Sequence, residues 1–154
     1  MTTTAPQQRI EADVKAALKA GEKDRLSTLR MLLTEIKNER IRKGSEVDEA
    51  GFVSLVRKAI KQREESVSQY RQGGREELAS KEEAEIGILT DYLPAQVDEG
   101  QIRAAIEALV AERNLVGPAA IGPIMKEMLA RFGSSADGGT INRIAREALG
   151  LVTR

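Results

Sequence analysis

The sequence predicts an all-α protein, with an N-terminal four-helix region followed by a small C-terminal three-helix module. Three observations carry this. Helix-forming residues dominate almost every segment. Apolar residues recur at three- and four-residue spacing, and no stretch alternates apolar with polar residues over a strand length. Glycine or proline closes most of the periodic segments.

The elements follow in order. Thr4-Ala5-Pro6-Gln7 has the form of a capping box, with Pro6 tolerated in the first turn. Ile10, Val14, Ala17 and Leu18 then make one apolar face, and Gly21 ends the helix. A long second helix runs from about Asp24 to Lys43. Leu26, Leu29, Leu33 and Ile36 form its stripe, which Met31 and Leu32 widen. Arg40, Arg42 and Lys43 suit the negative end of its dipole. Asp48 is the expected N-cap of the third helix, with Val47 and Phe52 as a hydrophobic staple. Phe52, Val56, Ile60, Val67 and Tyr70 line its expected buried face, and Gly73-Gly74 breaks it. The fourth helix sets Leu78, Ile86, Leu89 and Leu93 on one side and stops at Pro94.

Pro94 to Val97 is the expected boundary, dividing the chain into domains 1–94 and 95–154. The charge changes there. Residues 1–43 carry 10 Lys/Arg and 6 Asp/Glu, residues 44–94 carry 7 and 11, and residues 95–154 carry 7 and 7. Asp98 is expected to cap the fifth helix, whose core face is Ile102, Ile106, Leu109 and Val110. Beyond Gly117-Pro118, a sixth helix carries Ile121, Ile124, Met125, Met128, Leu129 and Phe132. After Gly133-Ser134-Ser135, Asp137 caps a last helix bearing Ile141, Ile144, Ala145, Ala148 and Leu149. The run Thr2-Thr3-Thr4 reads as a frayed end.

Composition narrows the function. The 154 residues balance 24 Lys+Arg against 24 Asp+Glu, so the chain as a whole has no attraction to polyanions; a nucleic-acid role needs a local patch. Without histidine or cysteine there is no thiolate chemistry, no disulfide and no side chain titrating unaided near neutral pH. No apolar run approaches the roughly 18 residues of a membrane span, and the N-terminus shows no apolar signal core. A soluble cytoplasmic protein is the expectation.

Candidate chemistry is sparse. Glu64-Glu65, Glu76-Glu77 and Glu82-Glu83 are adjacent pairs whose members point to different sides of a helix. Glu82 and Glu85 share a face, but the pattern fits a solvated surface better than an acid–base pair. Ser80-Lys81 is adjacent rather than on one face, and no nucleophile elbow, Ser-x-x-Lys or phosphate-loop pattern occurs. No catalytic residue, cofactor or metal site is expected. The basic residues are more informative. Arg57, Lys58, Lys61, Arg63, Arg71 and Arg75 form a run that could lie along phosphates. The segment Glu76 to Asp91 that follows is acidic, so a hairpin of the two helices would pair the signs internally. The last module offers Lys126, Arg131, Arg143 and Arg146. Scarce aromatics argue against stacking on unpaired bases.

Asp24-Arg-Leu-Ser-Thr-Leu-Arg-Met-Leu-Leu33, Ile36, Asn38, Gln62-Arg63, Glu65-Ser66, Tyr70, Gly74-Arg75, Glu77-Leu78-Ala79, Lys81-Glu82, Ala84-Glu85-Ile86, Leu89 and Tyr92-Leu93-Pro94 resemble the YqeY family. Gly122-Pro-Ile-Met125-Lys126 and Ala136-Asp137-Gly138 resemble its tail, so the likeness spans essentially the full chain. One departure is Ser135, where the family often has a basic residue. That family is similar to the C-terminal tail of GatB, a component of the glutamyl/aspartyl-tRNA amidotransferase. The resemblance implies a helical, non-catalytic module facing tRNA, or a tRNA-modifying or synthetase complex. Lys126, Arg143 and Arg146, with Arg57, Lys61 and Arg75, are then the candidate phosphate contacts. It also attaches the label of a carbon–nitrogen ligase with glutamine as amido donor, for which the residues supply no acid–base set. The alternative is a protein-interaction adaptor without RNA, docking through the second helix or the surface around Met125, Met128 and Phe132.

Overall fold

A computed structural model describes residues 5–151, and every regular element among them is helical. Helix α1 spans Pro6–Ala20, α2 Lys23–Lys43, α3 Glu49–Gln72 and α4 Glu76–Thr90. After a linker come α5 at Glu99–Arg113, α6 at Ile121–Phe132 and α7 at Gly138–Ala148. The chain divides into two compact units between Leu93 and Pro94. No helix among the described residues is long and apolar enough to cross a membrane.

The first unit is built from two helical hairpins, α1 with α2 and α3 with α4. Thr4, and with it the expected capping box and the Thr2-Thr3-Thr4 end, lies outside the described residues. Ala5 is the N-cap of α1, without a side-chain cap, and Pro6 occupies the first turn. At the other end of the hairpin, α2 stops at Gly44, whose φ of 73° is the left-handed cap that disfavours other residues. Asp48 caps α3 as expected, accepting from the Gly51 N–H at 2.7 Å. The α3–α4 turn is closed by Gly74 at φ 72°.

The core of this unit joins Ile10 and Ala17 of α1 to Leu29, Leu32 and Ile36 of α2. Val47, Phe52, Val56 and Ala59 meet them, and Leu89 of α4 completes the cluster. Each fully buried Ile, Leu or Phe contributes about 1.5–3 kcal/mol relative to exposure, which exceeds the few tenths per residue that helix propensity supplies. Phe52 and Tyr92 meet edge to face at 6.2 Å between ring centres.

Four expected core positions are corrected. Leu18 is 57% exposed and Met31 53% exposed, because one partner hairpin covers a narrower stripe than the apolar pattern suggested. Leu78 is exposed, whereas the neighbouring Ala79 is fully buried. Leu129 of α6 is also exposed, at 44%. Val67 and Tyr70 are only half-buried, toward the end of α3 that carries few core residues.

The second unit packs α5 and α6 against α7. Asp98 caps α5 by accepting from the Gln101 N–H at 2.9 Å, and Asp137 caps α7 by accepting from the Thr140 N–H at 3.2 Å. Ile102, Ala105, Ile106 and Leu109 of α5 pack with Ile124 and Met128 of α6 and Ile141, Ile144 and Ala145 of α7. A 3-10 turn at Pro118–Ala120 leads into α6. The Val97 N–H donates to the Ser135 carbonyl at 2.9 Å, which ties the entry of the unit to the turn before α7.

Candidate nucleic-acid interface

The basic run on α3 is not a continuous stripe. Arg63 turns inward and is buried; its Nε–H donates to Glu85 of α4 at 3.0 Å and its Nη1 to the Ala59 carbonyl at 3.1 Å. Arg71 reaches across the Gly73-Gly74 turn to two carboxylates, Glu76 at 2.9 Å and Glu83 at 2.5 Å. Those hydrogen bonds, Glu76's before Glu83's, hold the Arg71 guanidinium above its ordinary range, and Arg71 in turn holds the Glu76 carboxyl low. The basic half of the hairpin thus meets its acidic half within one unit. Sequence reasoning raised that pairing in general terms but missed Arg63 as a core residue. Its spacing from Ala59 and Val56, at helical intervals, was the available signal.

The named candidates fall differently. Arg57 is half-buried on α3. Lys61 is exposed, and Arg75 is exposed at the N-cap of α4; neither makes an ion pair with the described residues. In the second unit Arg143 is bound on two sides, donating to Glu99 of α5 and to Glu147 one turn on. These carboxylates, Glu99 first, raise its guanidinium above the ordinary range. Glu147 also receives Arg103, whose hydrogen bond is the largest influence lowering its carboxyl, against partial desolvation and with help from Arg143. Arg146 is exposed and donates its Nε–H to Asn142 at 2.9 Å, a neutral partner. Lys126 is exposed on α6 and makes no ion pair with the described residues. Arg143 and Arg146 lie three residues apart on one face of α7, which packs against the helix that carries Lys126.

Such an arrangement offers fixed positive charge but little proton chemistry. Glu39, Glu76 and Glu147 have lowered pKa values, each through a neighbouring arginine, whereas a general base needs a value raised toward neutrality. Tyr92 is shifted upward by burial and by the Asp13 carboxylate, to which its hydroxyl donates at 2.6 Å. Among the described residues no group of three or more acidic side chains converges as a metal site would require.

The family described as Yqey-like protein matches residues 7–149. The chain belongs to that family. It is also similar to fungal proteins named altered inheritance of mitochondria protein 41, mitochondrial. The one from Lachancea thermotolerans is 33% identical over 112 residues, 71% of this chain and 60% of the relative. The one from Pyrenophora tritici-repentis is 27% identical over 149 residues, 92% of this chain and 80% of the relative. The one from Saccharomyces cerevisiae strain YJM789 is 31% identical over 91 residues, 58% of this chain and 49% of the relative. The match to the Lachancea relative thus leaves about two fifths of that protein uncovered. The all-helical fold agrees with what the YqeY resemblance implied.

Proposed function

We propose that this YqeY-like chain is a non-catalytic module that faces tRNA through its second unit. The supporting observation is the placement of Lys126 and Arg146. Both are exposed on packed helices, and neither is neutralised by a carboxylate among the described residues. Such residues hold phosphates by charge and displace counterions. Arg143 is a weaker contact in this reading, since Glu99 and Glu147 already compensate it. Lys61, Arg75 and Arg57 are the corresponding candidates of the first unit, taken by itself. Amide transfer from glutamine has no part in the reading, because the perturbed carboxylates are held low rather than raised. The setting is a compartment that contains tRNA: the cytoplasm here, and the mitochondrion for relatives whose names say so.

Gel shift of the purified chain with bulk tRNA at two salt concentrations tests this. Binding at low salt that weakens steeply at higher salt is expected. Absence of binding at low salt, or binding without a salt slope, overturns it in favour of the protein-adaptor reading.

A further inference from the structure

Gly87 sits inside α4, where glycine is less stable than alanine because the unfolded chain has more freedom to lose. A glycine inside a helix lets another backbone or side chain approach closely. Nothing in this chain does so, for a Cβ built at Gly87 meets no atom within 4 Å. The residue instead lines a groove of about 740 Å³ between α3 and α4, whose walls are mostly apolar. Val67 and Ile86 are half-buried on its sides.

The rim carries both signs, with carboxylates in excess: Glu64 and Glu83 against Arg71. Glu64 is exposed and makes no ion pair with the described residues. Glu83, with Glu76 near it, shares the single guanidinium of Arg71. Two lining carboxylates against one lining arginine, which Glu76 also engages from outside, leave the groove net negative. That repels phosphate and favours a cationic occupant. Apolar sides, a missing side chain that admits close approach, and a net negative rim together describe a receptor for an amphipathic helix.

We infer that the α3–α4 groove docks an apolar helix with basic flanks, supplied by a partner protein. The partner's small or apolar face seats on Gly87 between Val67 and Ile86. Its Lys or Arg residues meet Glu64 and the acidic end of the hairpin. This site lies in the first unit and does not depend on the tRNA reading.

The test uses the full chain and a fluorescein-labelled designed peptide of about five helical turns. The peptide has leucines on one face and lysines flanking them, and a control has glutamate in place of every lysine. Anisotropy should show saturable binding of the basic peptide, at least about tenfold tighter than the acidic one. Amide shifts should move at Val67 and Gly87. Gly87→Leu should fill the groove and weaken binding at least about tenfold. Gly87→Ala keeps the fold secure, since its Cβ points into open space. It should melt at or above the wild-type temperature and bind the peptide more weakly. Glu64→Lys should reduce binding of the basic peptide and narrow the preference between the two. Failure of both peptides to bind, equal binding of the two, or undiminished binding by the Gly87 variants overturns the inference.

Discussion

Arg63 of α3 donates its Nε–H to Glu85 of α4 at 3.0 Å, with both side chains nearly withdrawn from water. A second N–H of the guanidinium is held by the Ala59 carbonyl, and a third lies 3.6 Å from the Met31 sulfur. Met31 is therefore not idle despite its exposure. Its sulfur accepts from the Arg63 guanidinium. Removing one partner strands a desolvated charge. Glu85→Ala should cost about 3–5 kcal/mol, while a matched apolar replacement of both residues should cost far less or nothing. Urea denaturation of the two variants decides it. Equal, small losses would show that water reaches Arg63.

Tyr92 gives an alkaline signature. Burial first, then Asp13, raises its phenol above the ordinary range, with the nearby Arg25 opposing in part. A group that binds its proton more tightly when folded contributes stability in full below its unfolded pKa, about 10. That contribution is lost as pH rises from there toward the higher folded value. The melting temperature should therefore fall with pH above about 10, and Tyr92→Phe should flatten that limb. At neutral pH the same change should cost about 1 kcal/mol for the lost hydrogen bond.

Glu147 gives the acid counterpart. Its lowered carboxyl favours the folded state above the ordinary glutamate range, about 4.3, and that contribution disappears as pH falls through the lowered value. Arg103→Gln should move its titration midpoint upward, and Arg143→Gln should move it less. Carbon-detected NMR titration of the Glu147 carboxyl measures both. A larger effect from Arg143 would reverse the assigned order.

The phosphate contacts can be ranked. Lys126→Glu and Arg146→Glu should each weaken tRNA binding and reduce the salt slope by about 0.7–0.9 for each phosphate no longer engaged. Arg143→Gln should weaken it less, since its charge is already compensated. Slopes from gel shift at several salt concentrations separate the three. Equal losses would show that Arg143 leaves its carboxylates to meet RNA.

The second unit should be sensitive to single lesions. It is a module of about sixty residues whose core rests on a few isoleucines. Ile144→Ala, at a fully buried site, should cost about 2–5 kcal/mol. Asp137→Ala should cost about 1 kcal/mol through the lost cap. Circular dichroism melts of the two variants measure both.

Local rules made much of this molecule readable. Asp48, Asp98 and Asp137 announced themselves as caps because a cap bonds only three residues ahead. The positive-φ glycines Gly21 and Gly44 ended helices where the periodicity ended. The apolar stripes located the core but overstated its width. Leu18, Leu78 and Leu129 satisfy helical spacing, yet only the partner helix decides how much of a stripe is covered. The charges were least legible. Arg143 meets Glu99 across 44 residues, and Arg63 meets Glu85 across 22. Whether a cation is available to a ligand depends on such distant carboxylates, and no sequence window contains them. The open space beside Gly87 has no counterpart in the sequence pattern.

Arg71's grip on both Glu76 and Glu83 also bears on how the chain acquires its shape. The turn it spans joins α3 to the helix it packs against most extensively, as the α1–α2 turn does for the other hairpin. Contacts between sequence neighbours cost little loop-closure entropy, so each hairpin can zip outward from its own turn within microseconds to milliseconds. During synthesis at about 5–20 residues per second, the α3–α4 hairpin, once clear of the ribosome, would close within the time taken to add one more residue.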